Sequence, residues 1–228
     1  MIDKLILFPY WLTLKCRHAF YNIGLFKSHK ASVPTICVGN ITVGGTGKTP
    51  HTEMIIRMLL ESEEWGDKNI AVLSRGYKRR SKGFQQVTID GTAEDFGDEP
   101  LQIKHKFPHI TVAVCEDRCK GIENLLALPE PAAGGNGPFR PELVILDDAF
   151  QHRHVKAGLN ILLIDSNRPI WQDCVLPFGH LRENLAGIRR ADIVVMTKCG
   201  NTTPEEQEWC RNYIKGWKDI PVFFSRMK

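Results

Sequence analysis

Val43-Gly44-Gly45-Thr46-Gly47-Lys48-Thr49 puts three glycines, a lysine and two hydroxyls into seven consecutive residues. Glycines let a backbone turn its N–H groups inward around phosphate oxygens. A lysine directly after them can reach the β- and γ-phosphates, and the following hydroxyl can ligate Mg²⁺. The pattern G-x-x-x-x-G-K-[ST] is met at every fixed position except the first, which is Thr42. A Gly-Lys-Thr arises by chance in many chains. Here it follows an apolar run and precedes a helix-like segment, so it is read as a phosphate-binding loop, with Gly44, Gly45, Thr46, Gly47, Lys48 and Thr49 on the nucleotide.

Two acidic pairs could serve that loop. Ninety-nine residues after Lys48, Leu143-Val144-Ile145-Leu146 ends in Asp147-Asp148; an apolar strand that delivers a carboxylate at its end is suited to hold the Mg²⁺ of a bound nucleotide. The bland alternative is a turn or cap carboxylate. Asp98-Glu99-Pro100 follows Gly97 at a helix start, where acids favour the first turn for the helix dipole alone. Beside a phosphate loop the pair gains a second meaning, because phosphoryl transfer to an alcohol needs a carboxylate that accepts the hydroxyl proton. Guanine-specific loops of this kind carry an Asp two residues after a late Asn-Lys; the stretch here is Thr197-Lys198-Cys199-Gly200, which favours ATP.

These residues have to be positioned by strands and helices that alternate along the chain from Thr35 onward. Short apolar or β-branched runs predict strands at Thr35–Val38, Ile70–Leu73, Thr111–Val114, Leu143–Leu146, Ile161–Ile164, Ile193–Met196 and Val222–Phe224. Several lack alternation, as strands buried on both faces do. Helices are expected over Thr49–Glu61, Glu99–His105, Arg118–Leu128, Arg182–Arg190 and Pro204–Trp217, the last with Thr203 as cap and Pro204 in its first turn. Residues 129–141 read as a Pro- and Gly-rich surface loop, and Tyr77–Gly97 as a basic cluster with one short hairpin. The fold class expected is α/β: a mostly parallel, P-loop NTPase-like sheet with helices on both faces, preceded by an N-terminal amphipathic helical segment.

Composition narrows the function classes. The chain has 228 residues with 30 Lys and Arg against 26 Asp and Glu, a net charge of +4. Residues 1–30 hold five basic residues and one acid, so the remaining 198 are neutral overall. A nucleic-acid-binding body would spread basic charge over a face, so no nucleic acid partner is expected; a basic N-terminal segment facing something anionic is. Seven cysteines without a C-x-x-C pair read as reduced thiols. The longest uncharged N-terminal run, Leu5–Leu14, is ten residues with Pro9 inside it, too short to span a bilayer. Leu5, Ile6, Phe8, Trp11, Leu12, Leu14, Phe20, Ile23, Leu25 and Phe26, with Tyr10 and Tyr21, suit a reversible surface anchor instead, the alternative being a helix packed on the domain. The expected division is 1–30, a membrane-surface helical segment, and 31–228, a P-loop kinase domain. The chain ends four residues after its last predicted strand without a closing helix, so a C-terminal lobe is expected to be missing.

Taken together and in order, Val38-Gly39-Asn40, Gly44 to Pro50, Ser74-Arg75-Gly76-Tyr77, Gly97-Asp98-Glu99-Pro100, Asp117-Arg118, Asp147 to His152, and Leu176-Pro177 with Gly179 and Leu181-Arg182-Glu183 resemble the tetraacyldisaccharide 4'-kinase (lipid A 4'-kinase) family of Gram-negative bacteria. The resemblance implies ATP- and Mg²⁺-dependent phosphorylation of the 4'-hydroxyl of tetraacyldisaccharide 1-phosphate by a monomer, peripheral on the cytoplasmic face of the inner membrane. It implies that Asp98 is the base, that Lys48, Asp147 and Arg182 are catalytic, that Thr49, Asp147 and Glu183 attend the metal, and that Asn40, Arg75, Tyr77, Glu99, Asp148, Gln151 and His152 face substrate. Ala149 and His180 depart from the family's usual Gly and Pro, and a histidine that the family's C-terminal lobe lends to the base has no counterpart before Lys228. Two rivals remain: a membrane-docked P-loop NTPase without a lipid acceptor, and a cytosolic small-molecule kinase or ligase whose N-terminal helix is only core.

Overall fold

The computed structural model describes residues 12–13, 16–21, 23–130 and 139–226. In chain order the strands and helices are β1 (His29–Lys30), β2 (Thr35–Gly39), α1 (Lys48–Leu60), β3 (Ile70–Ser74), β4 (Gln85–Gln86), α2 (Ala93–Phe96), α3 (Asp98–Lys106), β5 (Thr111–Val114), α4 (Arg118–Leu126), β6 (Leu143–Asp147), β7 (Val155–Lys156), β8 (Leu159–Asp165), β9 (Ile193–Thr197), α5 (Pro204–Lys215) and β10 (Val222–Phe224). Eight strands form one sheet in the order β10-β9-β8-β2-β6-β3-β5-β4. Every pairing in it is parallel except β4 with β5.

Parallel strands need covered faces, and the side chains sort accordingly. Cys37, Leu73, Leu146, Ile164 and Met196 point to one face, where they pack with Ile122 and Leu125 of α4 and Ile214 of α5. Their neighbours Val38, Val72, Ile145 and Leu163 point to the other, against Ile56 of α1 and Ile103 of α3. Helices α1 and α3 therefore share a face, a fact that matters for the site. The strand holding the phosphate loop, β2, lies between β6 and β8, and the register Val38↔Asp147 sets Asp147 beside the start of that loop.

All seven expected strands exist; β2, β3, β6 and β9 run one residue further, to Gly39, Ser74, Asp147 and Thr197. The Arg182–Arg190 helix does not. Its apolar spacing at Leu181, Leu185 and Ile188 imitates a helical stripe, yet Leu181 bridges to Thr42 and Val175, and only a 3₁₀ segment, Leu185–Arg190, follows, capped by the Asn184 side chain on Ala186 N (3.1 Å). No hairpin forms in Tyr77–Gly97: β4 is two residues long and pairs with β5, and a capping box at Thr92 and Asp95 starts the short α2. Residues 131–138 of the expected loop, and Leu5 to Trp11 and Leu14 of the expected anchor, lie outside the described residues.

Residues 12–13 and 16–21 are helical. Arg153 donates to His18 O (3.1 Å), its guanidinium lies 5.0 Å from the Tyr21 ring centroid, and His18 Nε2 is 3.6 Å from a Glu183 carboxylate oxygen. One side of this segment is thus seated on the domain. Phe20, Ile23, Leu25 and Phe26 remain exposed, Ile23 and Leu25 at 73% and 64%.

Candidate active site

The loops after β2, β3, β6, β8 and β9 meet at the carboxyl edge of the sheet. In the phosphate loop Gly44 and Gly47 have φ of 100° and 81°, a region where a side chain is strained. An anion cradle needs its carbonyls turned away from the ligand, and three are held by side chains. Lys198 Nζ donates to Gly45 O (2.7 Å) while pairing with Asp165 (2.6 Å), Thr197 Oγ1 donates to Thr46 O (3.0 Å), and His51 Nδ1 donates to Gly47 O (2.7 Å). The strand-like stretch before Glu183 straps the loop from outside, with Val43 N on His180 O and Arg182 N on Ile41 O, both 2.7 Å. Gly47 caps α1 without a side-chain bond, so the helix dipole faces the loop uncompensated.

Lys48 Nζ lies 3.7 Å from Asp148, whose two carboxylate oxygens are each 3.2 Å from one guanidinium nitrogen of Arg182. Asp148 thus holds two cations beside the loop. It does so at φ 47°, a conformation Asp tolerates better than most residues and one that recurs at functional sites. Its neighbour Asp147 is 1% exposed and accepts from Thr52 Oγ1 (3.2 Å) and Ser74 Oγ (3.3 Å), while its own carbonyl accepts from the buried Arg118 (3.1 Å). Burial, then the negative charges of Glu99 and Asp148, push the Asp147 carboxyl up to about 6. An acid held by hydroxyls alone, at a strand end beside a phosphate loop, gains from a divalent cation. The oxygen-only set of Thr49 and Asp147 fits Mg²⁺, which takes one or two carboxylates and finds its other ligands among phosphates and water. Among the described residues no three His, Cys, Asp or Glu side chains form a ready metal cage.

Asp98 is the first residue of α3. Gly97 before it has φ 91°, and a Cβ there would stand 3.1 Å from Tyr77 O and 3.3 Å from Gly76, so backbone packs on backbone. That close approach sets the backbone of Gly76 and Tyr77 against the start of the Asp98 helix, with Arg75 and Tyr77 exposed. The charge of Glu99, felt at Asp147, ties this helix end to the phosphate-loop acids.

Glu183 is buried, with one oxygen accepting from Arg190 (2.7 Å) and Gln151 (2.9 Å) and the other 3.6 Å from His18 Nε2, so it braces Gln151. Asn40 is fully buried and its amide holds Thr46 Oγ1 (2.7 Å), which makes it a brace of the loop rather than a substrate contact. Gln151 links the two, donating to Asn40 O (2.6 Å), and lies 3.5 Å from Arg182. Sequence reasoning gave no part to Lys198, His51, Arg118 or Glu53. Only Lys198, directly after a strand, and Arg118, in the Asp117-Arg118 pair, carried a local signal.

His152 is half-buried, and burial together with the charges of Arg118, Arg75 and Arg17 pushes its imidazole down to about 4. The unfolded chain, with His152 near its ordinary value, takes up a proton that the folded chain refuses. Stability is therefore full above pH ~6.5 and falls as pH drops toward ~4, by about 2 kcal/mol after allowance for partial exposure. His152→Asn is expected to flatten that part of a Tm-against-pH curve; an unchanged slope would show that His152 does not carry it.

A family model described as LpxK, tetraacyldisaccharide-1-P 4'-kinase, matches residues 5–228. Relatives bearing the name tetraacyldisaccharide 4'-kinase include one from Parabacteroides distasonis, 50% identical over 192 residues that cover 84% of this chain and 49% of the relative. One from Porphyromonas gingivalis is 47% identical over 218 residues, 95% of this chain and 58% of the relative. The chain spans about half the length of the curated relatives it matches. Among solved structures, LpxK from Aquifex aeolicus in complex with ATP superposes with a TM-score of 0.76 at 37% identity, covering 98% of this chain and 64% of that one.

Proposed function

The chain belongs to the tetraacyldisaccharide-1-P 4'-kinase family, and from that premise we propose that it transfers the γ-phosphate of ATP to the 4'-hydroxyl of a tetraacyldisaccharide 1-phosphate, a step of lipid A biosynthesis. The observation that carries the proposal is the meeting, at one sheet edge, of a phosphate loop with Lys48, Asp148 and Arg182 and of a second helix that begins with Asp98. The first group suits a polyphosphate and the second an alcohol. Lys48 and Arg182 stabilise charge on the transferred group, Asp98 takes the hydroxyl proton, and Asp148 positions the two cations. Thr49 and Asp147 would hold Mg²⁺, which when bound neutralises charge on the β- and γ-phosphates. Arg75, Tyr77, Glu99, Gln151 and His152 line the acceptor side. Incubation with ATP, Mg²⁺ and tetraacyldisaccharide 1-phosphate is expected to yield the 1,4'-bisphosphate; ADP release indifferent to the lipid would instead mark a nucleotide hydrolase.

Residues 1–30 act, in the same proposal, as a membrane-surface segment on the kinase domain of 31–228, on the cytoplasmic face of the inner membrane. Among the described residues no helix is long and apolar enough to cross a membrane. Support comes from the exposed Phe20, Ile23, Leu25 and Phe26 next to Arg17, Lys27 and Lys30. Basic residues near an anionic surface contribute about 1 kcal/mol each, and apolar ones add insertion that salt does not screen. Replacing exposed Ile23 and Leu25 by Ser is expected to halve or further reduce the fraction floating with anionic vesicles, with Tm unchanged. Equal flotation of variant and parent would remove these residues from the contact.

A further inference from the structure

Glu53 is an acid the mechanism above leaves unused, on α1, 5% exposed and turned toward a neighbouring helix. Its two oxygens are divided between two residues of α3: Gln102 Nε2 donates to one at 2.8 Å, and Lys106 Nζ pairs with the other at 2.7 Å. Residues four apart on a helix lie on one stripe. Gln102 and Lys106 follow Asp98 at four and eight residues, so the stripe that grips Glu53 is the stripe that starts with Asp98. Glu53 in turn follows Thr49 by four, on the stripe of α1 that starts at the phosphate loop. The clamp joins the two helices one turn below Thr49 on one and Asp98 on the other.

We infer that Glu53 is a positioning residue that sets the separation between the phosphate-binding end of α1 and the proton-accepting carboxylate at the start of α3. A buried carboxylate is costly unless fully partnered, and here, among the described residues, both of its side-chain partners come from α3, so the helix cannot slide or rotate without stranding a charge. A misplacement of about 1 Å at reacting groups can cost on the order of 100-fold in rate. The inference rests on Asp98 being the base.

The test is a double-mutant cycle in the chain extended to the length of its relatives. Asp98→Asn alone must first lower kcat strongly; if it does not, the base assignment fails and the inference falls with it. Given that loss, Glu53→Gln is expected to lower kcat roughly 10- to 100-fold with KM for ATP within about threefold, and to add little in the Asp98→Asn background, because a misplaced amide is no worse than a placed one. Lys106 is half-exposed, so Lys106→Met leaves folding intact and should show the same signature more weakly. Wild-type kcat in both Glu53→Gln and Lys106→Met, or a Glu53→Gln loss that multiplies in full onto Asp98→Asn, would overturn the inference.

Discussion

Lys48→Ala is expected to leave no measurable phosphoryl transfer, a loss of at least about 10³-fold in kcat, with nucleotide affinity weakened far less. The ammonium sits at the head of α1, 3.7 Å from Asp148, where it faces oxygens that grow more negative as the γ-phosphoryl group leaves. Alanine suits a helix start, so the substitution tests charge rather than folding. Among the described residues it leaves Arg182 as the ion-pair partner of Asp148. Single-turnover transfer of labelled phosphate, read beside equilibrium binding of a nucleotide analogue, separates the two effects. Parent-like turnover would disprove the phosphate-loop assignment.

Asp98→Asn is expected to lower kcat by about 10²- to 10⁴-fold at unchanged ATP affinity, the range typical of losing a placed general base. Asparagine retains the shape and an acceptor oxygen but cannot take the proton. Glu99 cannot stand in, because it is rotated about 100° around α3 and its charge is felt at Asp147 instead. Asp147→Asn should behave differently and raise the Mg²⁺ concentration needed for half-maximal rate. If Asp98→Asn keeps its rate while Asp147→Asn or Asp148→Asn is dead at saturating Mg²⁺, the base belongs to the β6 pair.

The central strands were legible because burial on both faces removes alternation: β3 and β6 are five consecutive buried residues each. The phosphate loop was legible because its backbone needs glycine at particular positions. The stretch around Leu181 misled because a residue bridging to Thr42 can share the spacing of a helical stripe. What no local pattern announces is the bracing. Lys198 reaches Gly45 across 153 residues of chain, and Glu53 reaches Gln102 and Lys106 across 49 and 53. Such ties depend on which strands become neighbours, so they enter only with the sheet order.

His51 joins the phosphate loop to the end of β10 through one ring, with Nδ1 on Gly47 O at 2.7 Å and Nε2 on Ser225 Oγ at 2.8 Å. A carbonyl can only accept, so the neutral ring must carry its hydrogen on Nδ1, and Nε2 must then receive the Ser225 hydroxyl. Ser225 is thereby fixed as the donor to the ring, so the loop oxygen that must stay clear of the phosphates is held back by a side chain whose orientation is set from the end of β10.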